Sequence, residues 1–468
     1  MWEQCMGSDM GLPIIKGVEN VAISLFSGGS IGDLGIVHGC GIKMIVACEK
    51  NADRRKLIEG NFSDTETFGD INKEKNDIIK FVKNKLKGKR PLLISLSPPC
   101  QGMSTTGLGK IRNEMKAGRR PKLDPRNKLI LPGLEIIEKL QPEFFVIENV
   151  SNMVNTGIEY KGEIKKIIDI IKLKHVENGK YVVRSSQIQF SRYGVPHKRK
   201  RLITIGTRNK EMKKLENEAQ LFTKQLSSFH APYSHGPRQN NIPEVVLRDV
   251  ICEMPPLNPK YSRQKRDDPL HIIPEMNEGH YKWMKNCTEG NSAWYNNKCV
   301  NPKCKFDGNE NEHVYCKKCN YLLPKPTGEI CLKCHKDKLR TQKCPHTIKK
   351  GDKKYRLIKG RKTTYKRMKM DVVAPTIIMN SGVVSSDNNV HPTQTRVLSI
   401  KEIMMLTTID NWGKEKYPWA GKYSFYDLET DKKHLSQCKS VPRDVIGESI
   451  PPLAMQKIIT HILSILNN

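Results

Sequence analysis

The chain has 468 residues, with 80 Lys+Arg against 49 Asp+Glu and a formal net charge of +31. That length permits a sizeable core and more than one domain, and the positive excess points to a polyanionic partner such as nucleic acid. No apolar run approaches the roughly 18 residues of a membrane-spanning helix, and the start, MWEQCMGSDMGLPII, lacks the basic and apolar regions of a signal peptide. An intracellular location is therefore expected (cytoplasm, nucleoid, nucleus or viral factory), with the 14 cysteines as free thiols, metal ligands or a catalytic group rather than disulfides.

In chain order, VAISLF (Val21 to Phe26), IKMIVACE (Ile42 to Glu49), PLLISLS (Pro91 to Ser97) and PEFFVIENV (Pro142 to Val150) read as buried strands. Asn51 to Gly60 and Asn127 to Leu140 carry helical periodicity between them. The alternation predicts an α/β, doubly wound and mostly parallel sheet. YVVRSSQIQF and RLITIGT, flanking RYGVPHK, read as an antiparallel hairpin at one edge. From about Lys210, prolines at 232, 237, 243, 255, 256 and 259 mark loop-rich chain. Residues 298–370 hold 22 Lys+Arg and 6 Asp+Glu, about half of the whole chain's positive excess. Helical patterns return with RVLSIKEIMMLTTI and PPLAMQKIITHILSIL. The expected organisation is an N-terminal tail over 1–18, a catalytic domain over 19–240, a smaller irregular recognition region over 241–440 with a basic insert over 296–370, and a segment over 441–468 returning to the catalytic domain.

Chemistry gathers at the predicted strand ends. LFSGGSIGDLG follows the first strand, and Gly28, Gly29 and Gly32 let backbone approach a ligand before a helix N-terminus. The turn lacks the lysine and spacing of a nucleoside-triphosphate loop. Glu49 ends the second strand, where a carboxylate accepts hydrogen bonds from ribose, and Asp70 in GDIN is a third polar strand-end candidate. Cys100 stands in SPPCQGMSTTG, on a backbone stiffened by two prolines and followed by Gln101 and a glycine-rich stretch, as befits a nucleophile in register beneath a closing loop. Lys110, Arg112, Lys116, Arg119, Arg120, Lys122 and Arg126 make the next segment basic enough to meet a phosphate backbone. Glu148 and Asn149 end the strand FFVIENV, and a carboxyl held there away from water is suited to donate a proton.

In their order, FSGGSIGDLG, SPPCQGMS, ENV, YGVPHKRKR, RVLSIKE and VIGESIPPL resemble the motifs of the cytosine-C5 DNA methyltransferases, over roughly residues 19–210 and 372–466. The resemblance implies an S-adenosylmethionine-dependent methyltransferase fold and transfer of a methyl group from S-adenosylmethionine to carbon 5 of a flipped-out cytosine. Cys100 resembles the nucleophile that adds to carbon 6. Glu148 would hold the ring nitrogen and amino group, and Arg201 would contact the base. Arg199 looks like a structural support, and Gln101 and Asn149 belong to the same catalytic motifs. Phe26 would stack on the donor's adenine, Gly28, Gly29 and Gly32 would admit its methionine part, Glu49 would bind ribose, Asp70 the adenine amino group, and Leu34 and Ser449 would also contact the donor. The chain departs from the family pattern at Leu96 and Ser97 (usually glycines), His197 (usually glutamine) and Glu448 (usually asparagine). Glu448 is expected to place an extra negative charge near the donor's carboxylate.

A second signal lies in the basic insert. Cys299-x4-Cys304, Cys316-x2-Cys319, Cys331-x2-Cys334 and Cys344-x-His346 pack seven of the 14 cysteines into 46 residues. Paired ligands on tight turns suit tetrahedral zinc, with Cys299, Cys304, Cys316 and Cys319 on one ion and Cys331, Cys334, Cys344 and His346 on another; interleaving, or His335 in place of His346, stays open. The insert falls where the family recognises its target, so double-stranded DNA is the expected partner and a monomer the expected state. A transfer-RNA cytosine-5 methyltransferase shares this chemistry, a non-catalytic DNA-binding relative shares the fold, and a zinc-dependent scaffold needs only the basic segment.

Overall fold

The computed structural model describes residues 11–100, 102–103, 123–176, 180–209, 222–223, 226–236, 242–259, 270–285, 287–293, 364–386, 388–409 and 442–467, and within 294–363 only the backbone of five short strands. These residues fall into two compact units. One holds the described residues of Met1–Val245, Met404–Tyr426 and Glu448–Asn468, the other those of Val246–Ile403 and Asp427–Gly447.

The first unit is built on an eight-stranded sheet. Its strands are β1 (Val18–Leu25), β2 (Lys43–Cys48), β3 (Glu66–Phe68), β4 (Arg90–Leu96), β5 (Phe144–Asn149), β8 (Val182–Gln189), β9 (Lys200–Thr207) and β10 (Phe222–Thr223); a separate hairpin supplies β6 (Gly157–Tyr160) and β7 (Glu163–Lys166). The sheet order is β10-β8-β9-β5-β4-β1-β2-β3. The five strands from β3 to β5 run parallel, and β1, β2, β4 and β5 show the near-continuous burial of strands covered on both faces. The predicted hairpin is present as β8 and β9, with β9 antiparallel to β5 and β8 flanked by the two residues of β10.

Helices α1 (Ile31–Cys40), α2 (Ala52–Asn61), α3 (Ile71–Leu86) and α4 (Ile130–Leu140) connect the parallel strands. The sequence marked the end of β3 at Asp70 but not the strand itself, which spans three residues, and it missed α3, which is rich in charge. The helix nonetheless buries Ile71, Ile78, Val82 and Leu86, spaced seven, four and four apart on one face.

The chain's last helix, Pro452–Leu466, packs on α1 and buries Ala454, Met455, Ile458, Ile459, Ile462 and Leu463. Close approach depends on three glycines on one face of α1. A Cβ on Gly35 would lie 2.1 Å from the Pro452 carbonyl oxygen, one on Gly39 2.9 Å from the Gln456 side chain, and one on Gly32 3.3 Å from Ile450. Gln456 Nε2 donates to the Gly39 carbonyl at 2.9 Å, fastening the two helices.

The second unit is loop-rich and organised by buried cations. Arg367 donates from Nε to the Cys287 carbonyl at 2.7 Å, from Nη1 to those of His391 and Gln394 at 2.8 and 2.6 Å, and from Nη2 to that of Met284 at 2.8 Å. Where few ladders exist, one guanidinium supplies donors to four carbonyls, of which those of Met284 and Gln394 also accept from the Cys287 and Arg396 backbone N–H groups. Val314–Cys316, Leu322–Leu323 and Leu339–Thr341 form a small antiparallel sheet, and Ile348–Lys350 pairs with Lys353–Tyr355. Seven of the eight predicted zinc ligands lie outside the described residues, and Cys316 is described by its backbone alone. Among the described residues no group of His, Cys, Asp or Glu is placed to hold a metal, and no helix is long and apolar enough to cross a membrane.

Candidate active site

Because β3, β2, β1, β4 and β5 are parallel, their carboxyl ends bring Asp70, Glu49, the glycine turn, Cys100 and Glu148 to one edge of the sheet. The order reverses between β1 and β4, the place where ligands enter open α/β sheets.

On the β1–β3 side the turn after Leu25 is left-handed at Phe26 (φ 57°), Gly28 (φ 58°) and Ser30 (φ 53°). A Cβ at Gly28 would meet nothing within 4 Å, so the turn borders open space. Gly28 N donates to Glu49 Oε2 at 3.0 Å and Asn51 N to Glu49 Oε1 at 2.8 Å. Burial raises the Glu49 pKa against these bonds. Asp70 caps α3 by accepting from Asn72 N at 3.1 Å and pairs with Lys50 at 2.9 Å. Leu34, by contrast, is fully buried and offers a ligand no side-chain surface, while Gly32 is taken up by helix packing.

Beneath the turn lies a carboxyl that sequence reasoning missed. Asp33, on α1, accepts from Ser24 Oγ of β1 at 2.8 Å. Burial lifts its pKa from an ordinary 3.8 to about 6, while the hydroxyls of Ser24, Ser30 and Ser95 pull the other way. The folded chain therefore holds this proton more tightly than the unfolded one. The resulting stabilisation is full below the unfolded value of 3.8 and is lost as pH rises through about 6. Asp33→Asn is expected to raise stability at pH 8 by about 1–3 kcal/mol and to change it little near pH 4. Urea unfolding at the two pH values checks this, and a loss at pH 8 contradicts it.

On the β4–β5 side the thiol is held by backbone. Ser97 N donates to the Leu25 carbonyl at 3.1 Å, Asn149 Nδ2 to the Pro98 carbonyl at 3.0 Å, and Met103 N to the Cys100 carbonyl at 2.9 Å. Asn149 Oδ1 accepts from Val150 N at 2.8 Å, so both ends of this buried amide are used in fixing the turn. Asn152 Nδ2 donates to the Met103 carbonyl at 3.1 Å. Gln101 and residues 104–122 of the basic segment lie outside the described residues, whereas Arg126 makes a two-point contact with Asp124, at 3.0 and 2.7 Å.

Burial pushes the Cys100 pKa up, the Glu148 carboxylate adds to the rise, and Arg201 and Arg199 oppose it. The resting sulfur is thus a thiol near neutrality. Arg201, on β9, sets Nε 2.8 Å from Glu148 Oε1, both side chains being largely buried. Arg199 is buried and donates from Nη2 to the Glu448 carbonyl at 2.7 Å; burial, with Arg201 beside it, lowers its pKa to about 9. His197 is buried and held well below its ordinary pKa by burial and the two arginines, so it is neutral. Glu448 does not stand bare: its Oε2 pairs with Arg54 Nη2 at 2.7 Å. Ser449, the next residue, is partly exposed.

A family model described as C-5 cytosine-specific DNA methylase matches residues 21–464. The Type II methyltransferase M1.HgaI of Avibacterium volantium is 26% identical over 458 residues, covering 95% of this chain and 98% of its own. The Type II methyltransferase M.AquIA of Picosynechococcus sp. is 30% identical over 259 residues, 52% of this chain and 92% of its own. The DNA (cytosine-5-)-methyltransferase M.ApeKI of Aeropyrum pernix is 30% identical over 210 residues, 40% and 44% of the two chains. Among solved structures, the S. pombe Dnmt2 methyltransferase superposes with a TM-score of 0.51 at 12% identity, covering 96% of this chain and 100% of that one, a likeness of fold alone.

Proposed function

Since the chain belongs to the C-5 cytosine-specific DNA methylase family, we propose that Cys100, Glu148 and Arg201 carry its methylation of DNA cytosine and that the β1–β3 strand ends hold the methyl donor. The observation that supports this most directly is the buried Arg201–Glu148 pair acting on the thiol of a turn that Asn149 fixes. S-adenosylmethionine, when bound, supplies an electrophilic methyl group on a sulfonium. Gly28 leaves room for it, Glu49 presents a carboxylate fixed by two backbone N–H groups to the ribose hydroxyls, and Phe26 offers a ring to the adenine. Asp70, which pairs with exposed Lys50, would accept a hydrogen bond from the adenine amino group.

Cys100 gives up its proton to solvent and Sγ bonds to carbon 6 of the cytosine, breaking the carbon 5–carbon 6 π bond, whose electrons make carbon 5 rich enough to take the methyl group. Glu148 meets ring nitrogen 3 and the amino group, offsetting charge as the sulfur adds, and Arg201 keeps the carboxyl aimed. Loss of the carbon 5 proton to a base then expels the Cys100 sulfur and restores the ring. The target atom lies inside a stacked duplex, so the base must be extruded at a few kcal/mol.

Expression in a methylation-free host, followed by sequencing of modified cytosines, is expected to show 5-methylcytosine at one defined DNA sequence. Modified transfer RNA with unmodified duplex would select the RNA-directed reading instead. The cysteine spacing supports a zinc-bearing recognition insert, so the same purified protein should carry about two zinc ions per chain by elemental analysis. Metal-free protein of full activity contradicts that part alone.

A further inference from the structure

Glu448 departs from the family pattern and comes with a partner that the sequence did not reveal. Arg54 lies in the first turn of α2, whose cap Asn51 accepts from Asp53 N at 2.9 Å and Arg54 N at 3.2 Å. The following residue, Arg55, donates from Nη1 to the carbonyls of Glu49 and Lys50 at 2.8 and 2.9 Å, so this turn is bound to the end of β2. From there Arg54 reaches Glu448 Oε2 at 2.7 Å, and both side chains keep some exposure, 22% and 29%. Arg199 takes the Glu448 carbonyl rather than its carboxylate. Glu448 is thus anchored at its side chain by the donor side of the sheet and at its backbone by the cytosine side.

The charges near Glu49 show what this arrangement changes. Glu74 accepts from Gly69 N and Asp70 N at 2.8 and 3.1 Å, so Glu49, Asp70, Glu74 and Glu448 share this region with Lys50, Arg54, Arg55 and, on the Glu448 carbonyl, Arg199. Where the family pattern has a neutral asparagine, Glu448 makes this group of charges one unit more negative. S-adenosylmethionine carries a sulfonium, an ammonium and a carboxylate and is a net cation, whereas S-adenosylhomocysteine has lost the sulfonium charge and is neutral overall. A fixed extra negative charge in a partly desolvated site therefore favours the donor over the spent product.

We propose that Glu448, held by Arg54, is a specificity-determining residue that tilts the donor site toward the sulfonium donor and against its thioether product. This rests on the donor-site reading above, and it turns a departure from the family motif into a device against product inhibition. Arg54 has the opposite effect on the balance and serves to hold the carboxylate in place.

The test is calorimetric titration of the full chain with S-adenosylmethionine and, separately, S-adenosylhomocysteine. Glu448→Gln should weaken the donor about 5-fold and leave the product within about 2-fold, shifting the affinity ratio toward the product. Arg54→Gln should shift the ratio the other way, the double variant should lie close to the native ratio, and Glu448→Asp should retain it. The shifts should shrink in 0.5 M salt, on the order of a 4 Å screening length. Equal weakening of both ligands by Glu448→Gln, or no change in either, overturns the proposal and leaves Glu448 a structural residue. Native protein that binds neither ligand defeats the donor-site reading itself, an outcome distinct from an unmoved ratio.

Discussion

Replacing Cys100 with alanine is expected to abolish methyl transfer, by on the order of 10⁴-fold or more, while S-adenosylmethionine affinity stays within about 2-fold. The split follows from placement: the thiol sits on the β4–β5 side, whereas the groups assigned to the donor end β1, β2 and β3. No described thiol of the first unit offers a substitute. Burial raises Cys40 to about 11 within α1 and Cys48 to about 12 at the end of β2. Glu148→Gln makes the companion test, because it dissociates two properties that usually move together. Losing the carboxylate removes a cause of the raised Cys100 pKa, so iodoacetamide should alkylate the thiol faster at pH 8. Methyl transfer should nonetheless fall, by about 10²- to 10⁴-fold, because the neutral amide no longer offsets the charge that develops on the cytosine ring as the sulfur adds. Peptide mass mapping of the labelled cysteine and transfer of a labelled methyl group measure the two. Slower alkylation, or residual transfer by the alanine variant, would remove Cys100 and Glu148 from the roles proposed.

The parallel sheet and its reactive edge were legible because apolar runs of strand length, followed closely by glycine or polar residues, need no tertiary information. VAISLF, IKMIVACE, PLLISLS and FFVIENV became β1, β2, β4 and β5 with ends shifted by a few residues. What the sequence withheld depends on residues far apart in the chain. The offsetting of Glu448 by Arg54 exists only because the chain's last segment returns to α1 and passes the first turn of α2. Gly32 read as a ligand-side glycine, yet its place in the run Gly32, Gly35, Gly39 is a helix-packing signal, spaced three and four apart. Leu34 was expected at the donor, but helical phase turns it into the core. Asp33 gave no signal, since Ser24, Ser30 and Ser95 converge on it from two strands and a helix start.

The RVLSIKE segment, which carried the family resemblance in the second half of the chain, shows what such a motif secures physically. Ser399 and Glu402 form a reciprocal helix cap: Glu402 N donates to Ser399 Oγ at 3.0 Å, and Ser399 N to Glu402 Oε2 at 2.7 Å. The same carboxylate takes both arms of Arg396, each at 2.7 Å, with neither side chain exposed. Burial alone would raise the Glu402 pKa, but the hydrogen bonds and charge of Arg396 prevail and bring it down to about 2. His391, 3.8 Å away, is driven down to about 3 chiefly by burial and stays neutral, so it adds no second cation. Glu402→Gln should therefore cost about 3–5 kcal/mol at pH 7, because it strands a buried guanidinium. Since the folded pKa lies below the ordinary 4.5, the native contribution is full above that value and fades as pH falls toward 2. The variant's stability should accordingly be flatter than the native chain's across that acid range. Replacing Arg396 and Glu402 together by methionine should recover much of the loss, as a buried pair exchanged for apolar volume often does. Denaturant unfolding of the single and double variants decides it: a double variant no more stable than Glu402→Gln would mean that the cap at Ser399, and not the stranded charge, dominates.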